Sequence, residues 1–144
     1  MLTPTIYNLL LAAVAVYAFM RGNADARLAA AICVIATLGT KFVISPVAHR
    51  YSGVELGVFI VDFLTLVGFV VIAIRTDRFW PLWVAGLQLT TLVAHLLKAV
   101  EVDLMPHAYA VAGRFWVYPI FLIIVVGTWR SHQRMLDERL ADPA

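Results

Sequence analysis

The groups in this chain that can hold or pass a proton sit inside or beside apolar runs: Lys41, Asp62, His95, Lys98 and Arg114. A carboxylate and an imidazole brought together can take up and release protons near neutral pH. Lysine and arginine beside them can attract an anionic group or neutralise the carboxylate. At 100° per residue, Gln88, Thr91, His95 and Lys98 fall within one arc of roughly 80° on a helix. Glu55, Asp62 and Thr65 share a face in the same way. Thr37, Thr40 and Lys41 are neighbours, and His107, Arg114 and Tyr118 line up at helical spacing.

The medium around these groups is set by composition. The chain has 144 residues, 62% hydrophobic and only 14% charged, with a mean hydropathy of +0.88. A soluble domain carries about 25% charge. Apolar runs approaching twenty residues recur along the length, each long enough to cross a hydrocarbon core of about 30 Å as a helix. The expected class is an all-α integral membrane protein whose first partner is the lipid bilayer. The single cysteine, Cys33, excludes an intrachain disulfide. The basic residues are spread over turns instead of bunched into a nucleic-acid patch. The opening run MLTPTIYNLLLAAVAVYAFM lacks the positive n-region of a secretory signal, so it reads as a retained first span.

Five spans are expected, at about 5–20, 28–44, 56–74, 79–100 and 106–129. The first stops at RGNADAR, the second at Ser45-Pro46 and the third at RTDR. Pro81 falls in the first turn of the fourth, where a missing N–H is harmless. Together they make one transmembrane domain over 1–130, followed by a polar tail, 131–144, that is a short helix or an extension. With five spans, the first and third connections share a side with the C-terminus. Those segments hold Arg21, Arg27, Arg75, Arg78, Arg130, Arg134 and Arg139, whereas Arg50 is the only loop arginine on the other side. The positive-inside rule then places the N-terminus outside and the C-terminus in the cytoplasm. Size and the lack of a targeting segment suggest a bacterial inner membrane.

That orientation gathers the embedded polar groups in the outer half. Lys41 lies in the outer third of the second span, Asp62 about two turns down the third, and His95 and Lys98 at the outer end of the fourth. Arg114 lies two turns into the fifth, with Tyr118 one turn further. Glu101, Asp103 and His107 form the rim. A polar stripe on each of four helices implies that the stripes face one another, because lipid offers no hydrogen bonds. Pro119 also removes a backbone hydrogen bond one turn below Arg114. A charge at mid-bilayer costs about 2.5–3.5 kcal/mol on insertion scales, and long side chains escape by snorkelling. Asp62 has a short stem and needs a partner, for which Arg114 and Lys41 are the candidates. His95 is the other group with no easy exit.

Three functional classes remain. The favoured one is an outward-facing site that binds a small molecule or ion, in a transporter or channel subunit. The second is an accessory or assembly subunit of a larger complex. Its alanine-rich first two spans suit a homo-oligomer or a docked subunit, and suit intrachain packing equally. The third is a membrane-embedded enzyme acting on an apolar substrate, with His95 and Asp62 or Glu101 as acid and base. A structural ion pair or helix-packing hydrogen bond competes with each functional role. Metal ligation is weakly supported, since no HxxxH, CxxC or Glu-x-x-His pattern occurs, and haem between His95 and His107 is the remaining redox option.

Overall fold

The computed structural model describes residues 4–44, 52–100 and 115–141, with backbone alone at 52–55 and 98–100. Five helices account for nearly all of them: α1 (Pro4–Arg21), α2 (Ala24–Ile44), α3 (Ser52–Arg75), α4 (Trp80–Val100) and α5 (Val117–Ala141). No strand occurs among the described residues. Helices α1 to α4 are long and apolar enough to cross a bilayer. In α5 the apolar run stops at Arg130 while the helix continues.

Local chemistry fixes the ends. After α1 the Gly22 N–H still bonds the Ala18 carbonyl at 2.8 Å. Asn23 then caps α2, its side-chain oxygen accepting the Ala26 N–H at 3.2 Å, as an N-cap residue does. Asp25 in the first turn of α2 complements the positive end of the helix dipole. Thr76 closes α3 by donating its N–H to Ile72 at 3.1 Å. Pro81 lies in the opening turn of α4, as expected, and is fully buried.

The helices form a ring. Helix α1 packs on α2 and α5, α3 packs on α2 and α4, and α4 closes on α5, while α2 also reaches α5 across the middle. Side-chain contacts give the directions. Tyr7 meets Thr37 and Asn8 meets Lys41, so α1 and α2 are antiparallel. Asp25 meets Thr76, so α2 and α3 are antiparallel. Tyr7 meets Phe121 and Arg21 meets His132, so α1 and α5 run parallel.

Inside the ring sit Leu11, Val14, Phe69, Ile72, Val84 and Ile124, among others. Lipid tails are as apolar as these side chains, so close packing holds such a core more than water exclusion does. Small residues make that packing possible. Ala18, Ala26, Ala29 and Ala30 are 0–1% exposed, which places much of the alanine-rich surface of α1 and α2 in intrachain contact. At Gly68 an added Cβ would come within 2.8 Å of Ile32 Cδ1. Outside the ring, Ile35, Leu38, Phe42, Leu64, Ile74 and Leu122 are exposed, an apolar girdle suited to hydrocarbon.

Helix α5 bears on the fifth span and on the tail. The fifth span was placed at 106–129, of which 106–114 lies outside the described residues. Helix α5 begins at Val117 and continues to Ala141, so residues 131–141 prolong it. Pro119 is the third residue of α5, and just after it the Ile120 N–H reaches back to the Trp116 carbonyl at 3.4 Å.

Candidate functional site

Helix α3 begins at Ser52, one turn earlier than expected, so Asp62 lies near the helix's middle. Its carboxylate is held from α4 on both oxygens. His95 Nε2 is 2.9 Å from Oδ2. The Gln88 amide donates to Oδ1 at 3.2 Å and to the Asp62 backbone carbonyl at 3.3 Å. Gln88 and His95 are seven residues apart, two helical turns on one face, so α4 grips Asp62 from above and below. The Gln88 side chain is buried, and the Asp62 and His95 side chains are 20% and 23% exposed.

The hydroxyls around this clamp turn back on their own helices. Thr65 donates to the Val61 carbonyl at 2.7 Å and Thr91 to the Leu87 carbonyl at 3.4 Å. Both threonines are buried. Back-bonding of this kind satisfies a hydroxyl where no water is at hand.

Lys41 does not pair with Asp62. Its ammonium donates to Asn8 Oδ1 at 2.8 Å, on an exposed surface between α2 and α1. A long stem carries the charge to the nearest polar acceptor at the helix end, which is the snorkelling that a lysine in an apolar helix favours. Arg114, the other expected partner, lies outside the described residues. So do Glu101, Asp103 and His107, and Lys98 is described in its backbone alone. The haem option that joins His95 to His107 therefore cannot be traced. Among the described residues no three His, Cys, Asp or Glu side chains converge.

Tyr7 of α1 joins the polar set. Thr37 donates its proton to the Cys33 carbonyl at 2.8 Å. The Tyr7 hydroxyl, 2.8 Å from Thr37 Oγ1, is therefore the donor to Thr37. The Tyr7 ring packs on Phe121 at 5.8 Å between centroids. Tyr118, half-buried on α5, and Asp62 both lie close enough to act on Tyr7 electrostatically. The Asp62 half of the ring thus holds Asp62, Gln88, His95, Tyr7, Thr37 and Tyr118, contributed by all five helices.

The opposite half carries a second polar layer that hydropathy concealed. Arg21 donates to His132 Nε2 at 2.8 Å, joining α1 to α5. Thr76 donates to Asp25 at 2.8 Å, joining the end of α3 to α2. Arg78 donates to Ser131, which is fully buried in α5. Beside them the Trp80 ring lies against Gly127, where an added Cβ would come within 2.8 Å of the indole. Trp80 Nε1 is a buried donor without a partner among the described residues. Asp25, His132 and Ser131 read from sequence as turn and tail residues, and only their shared contacts reveal the layer.

Chemically, the clamp sets a carboxylate between an amide donor and an imidazole. With an ionised carboxylate and a neutral imidazole it carries one negative charge, and one added proton makes it neutral. No family model, curated protein or solved structure matches the chain, so its functional reading rests on this geometry.

Proposed function

We propose that this protein is a five-span helical membrane protein, N-terminus outside and C-terminus cytoplasmic, that binds a proton or small cation at an outward-facing site. The observation that carries the proposal is the Asp62 carboxylate held near mid-helix by His95 and Gln88. A carboxylate at that depth is expensive unless a proton, a cation or a donor compensates it. An imidazole is the donor that can also exchange a proton near neutral pH. The arginine distribution supports the orientation, and the membrane that fits it is a bacterial inner membrane.

Transport is the use such a site favours. Its ion would enter by the Asp62 half, and the polar layer at Asp25, Thr76, Arg78 and Ser131 would form the closed side. Two separated polar layers with packed apolar side chains between them suit a site open to one side at a time. The accessory-subunit reading keeps the exposed Ala12 and Ala13 of α1, whereas Ala18, Ala26, Ala29 and Ala30 pack within the chain.

The test is proton flux in proteoliposomes, driven by a potassium diffusion potential and read with an internal pH dye. The expected result is a flux well above protein-free vesicles that falls at least about tenfold in Asp62→Asn and in His95→Ala. Folded variants that keep the full flux, or wild-type vesicles no leakier than empty ones to protons and sodium, would remove the transport reading.

A further inference from the structure

Where α1 and α5 run parallel, a groove of about 800 Å³ opens between them on the outer face of the ring. One wall is Ala12, Ala13, Val16 and Met20, whose small first members leave the space. Trp129 stands on the other wall, and Leu136 lies a turn beyond His132. From Ala12 to Met20 the apolar wall extends about 12 Å at 1.5 Å per residue. At its end stand Arg21, His132 and Gln133.

We propose that this groove holds one acyl chain of an anionic phospholipid, with the phosphate at Arg21 and His132. An apolar slot ending in a cation fits an amphiphile with a negative head. The donors are in place. A guanidinium has five N–H groups and no acceptor, and one of Arg21's is directed at His132 Nε2. His132 stands beside it at the same end of the groove. Gln133 offers an amide beside it. No carboxylate lines the groove, and Asp137 and Glu138 come more than a turn beyond His132. Trp129 and Tyr17 flank the charged end, as aromatic side chains do at headgroup level.

The exposed girdle around the ring makes lipid the medium that reaches the groove. A second copy seated by two-fold symmetry on the same face would set Arg21, Arg130 and Arg134 against their own counterparts. Charge therefore favours the lipid over self-association.

Native mass spectrometry of the detergent-purified protein, titrated with phosphatidylglycerol or phosphatidylcholine of identical chains, tests the assignment. Phosphatidylglycerol is expected to bind about five- to tenfold more tightly, the effect of one well-placed arginine on an anionic lipid. Arg21→Gln is expected to abolish that preference. Ala13→Phe, which fills the slot and leaves the charge, is expected to weaken both lipids. Both positions are exposed, so neither change touches the core. Equal affinity for the two lipids, or a preference that survives Arg21→Gln, would overturn the proposal. So would efficient disulfide dimerisation of Ala13→Cys in native membranes, which would show a second copy in the groove.

Discussion

His95 Nε2 lies 2.9 Å from Asp62 Oδ2, a contact between α4 and α3 with Gln88 closing on the other carboxylate oxygen. Three groups share this arrangement, so their effects on stability are coupled. Removing the imidazole leaves the carboxylate with one side-chain donor, and His95→Ala should lower stability by about 1–3 kcal/mol. Asp62→Asn should cost less, because an amide of the same shape still accepts a hydrogen bond. The double variant should fall short of the sum by 0.5 kcal/mol or more, as groups in one network do. Thermal unfolding in detergent of the four proteins closes the cycle. Strict additivity would mean that the charge of the carboxylate adds nothing to the contact.

Lys41 makes the contrasting case. Its bond to Asn8 is exposed, and exposed polar pairs are worth between zero and about 1 kcal/mol. Lys41→Met should shift the unfolding midpoint hardly at all and leave the Asp62 site intact. A loss as large as that of His95→Ala would place Lys41 back in the site.

At Gly127 the expected effect is steric. A methyl group there would press on the Trp80 ring at 2.8–3.0 Å, and overpacking of this kind costs about 1–3 kcal/mol. Gly127→Ala should therefore destabilise the protein although alanine is the better helix former. Trp80→Leu in the same background should restore part of the loss. Indole fluorescence offers a second readout, since a forced shift of Trp80 changes its surroundings.

Topology has a direct measurement. Thr5 and Leu140 are exposed at opposite ends of the chain, and Cys33 is buried. A membrane-impermeant maleimide applied to intact cells should label Thr5→Cys. Leu140→Cys should react only after the membrane is opened. Labelling of both from one side would leave an even number of crossings between them and refute five.

How much of this was legible beforehand depended on the range of the interaction. The first four helices follow from unbroken apolar runs, with ends within a few residues of those expected, because RGN, RTD and Pro81 mark the turns in the sequence itself. The stripe of Gln88, Thr91 and His95 was legible as well, since helical spacing is local. Partner choice was not. Lys41 and Asp62 stand at depths that allow pairing, but a flexible stem takes the nearest acceptor, and nothing in the sequence says that Asn8 is nearer. Tyr7 was hidden by its ordinary role as an interface aromatic. The contact of Trp80 with Gly127 has no signal at all, because a glycine at that position records the approach of another helix only once the fold is known. Arg130 ends the apolar run without ending the helix, so hydropathy placed Ser131 and His132 in a tail where backbone continuity places them in the bundle.

That continuity has a mechanical meaning. Helix α5 carries Tyr118 at one end and Arg139 near the other, without interruption. Over this length, roughly 30 Å at 1.5 Å per residue, a rigid-body tilt of the helix would act as a lever. A tilt of about 10° would displace its far end by several ångströms relative to its start. Any rearrangement around Tyr118 is thereby transmitted, enlarged, to the charged end of the helix.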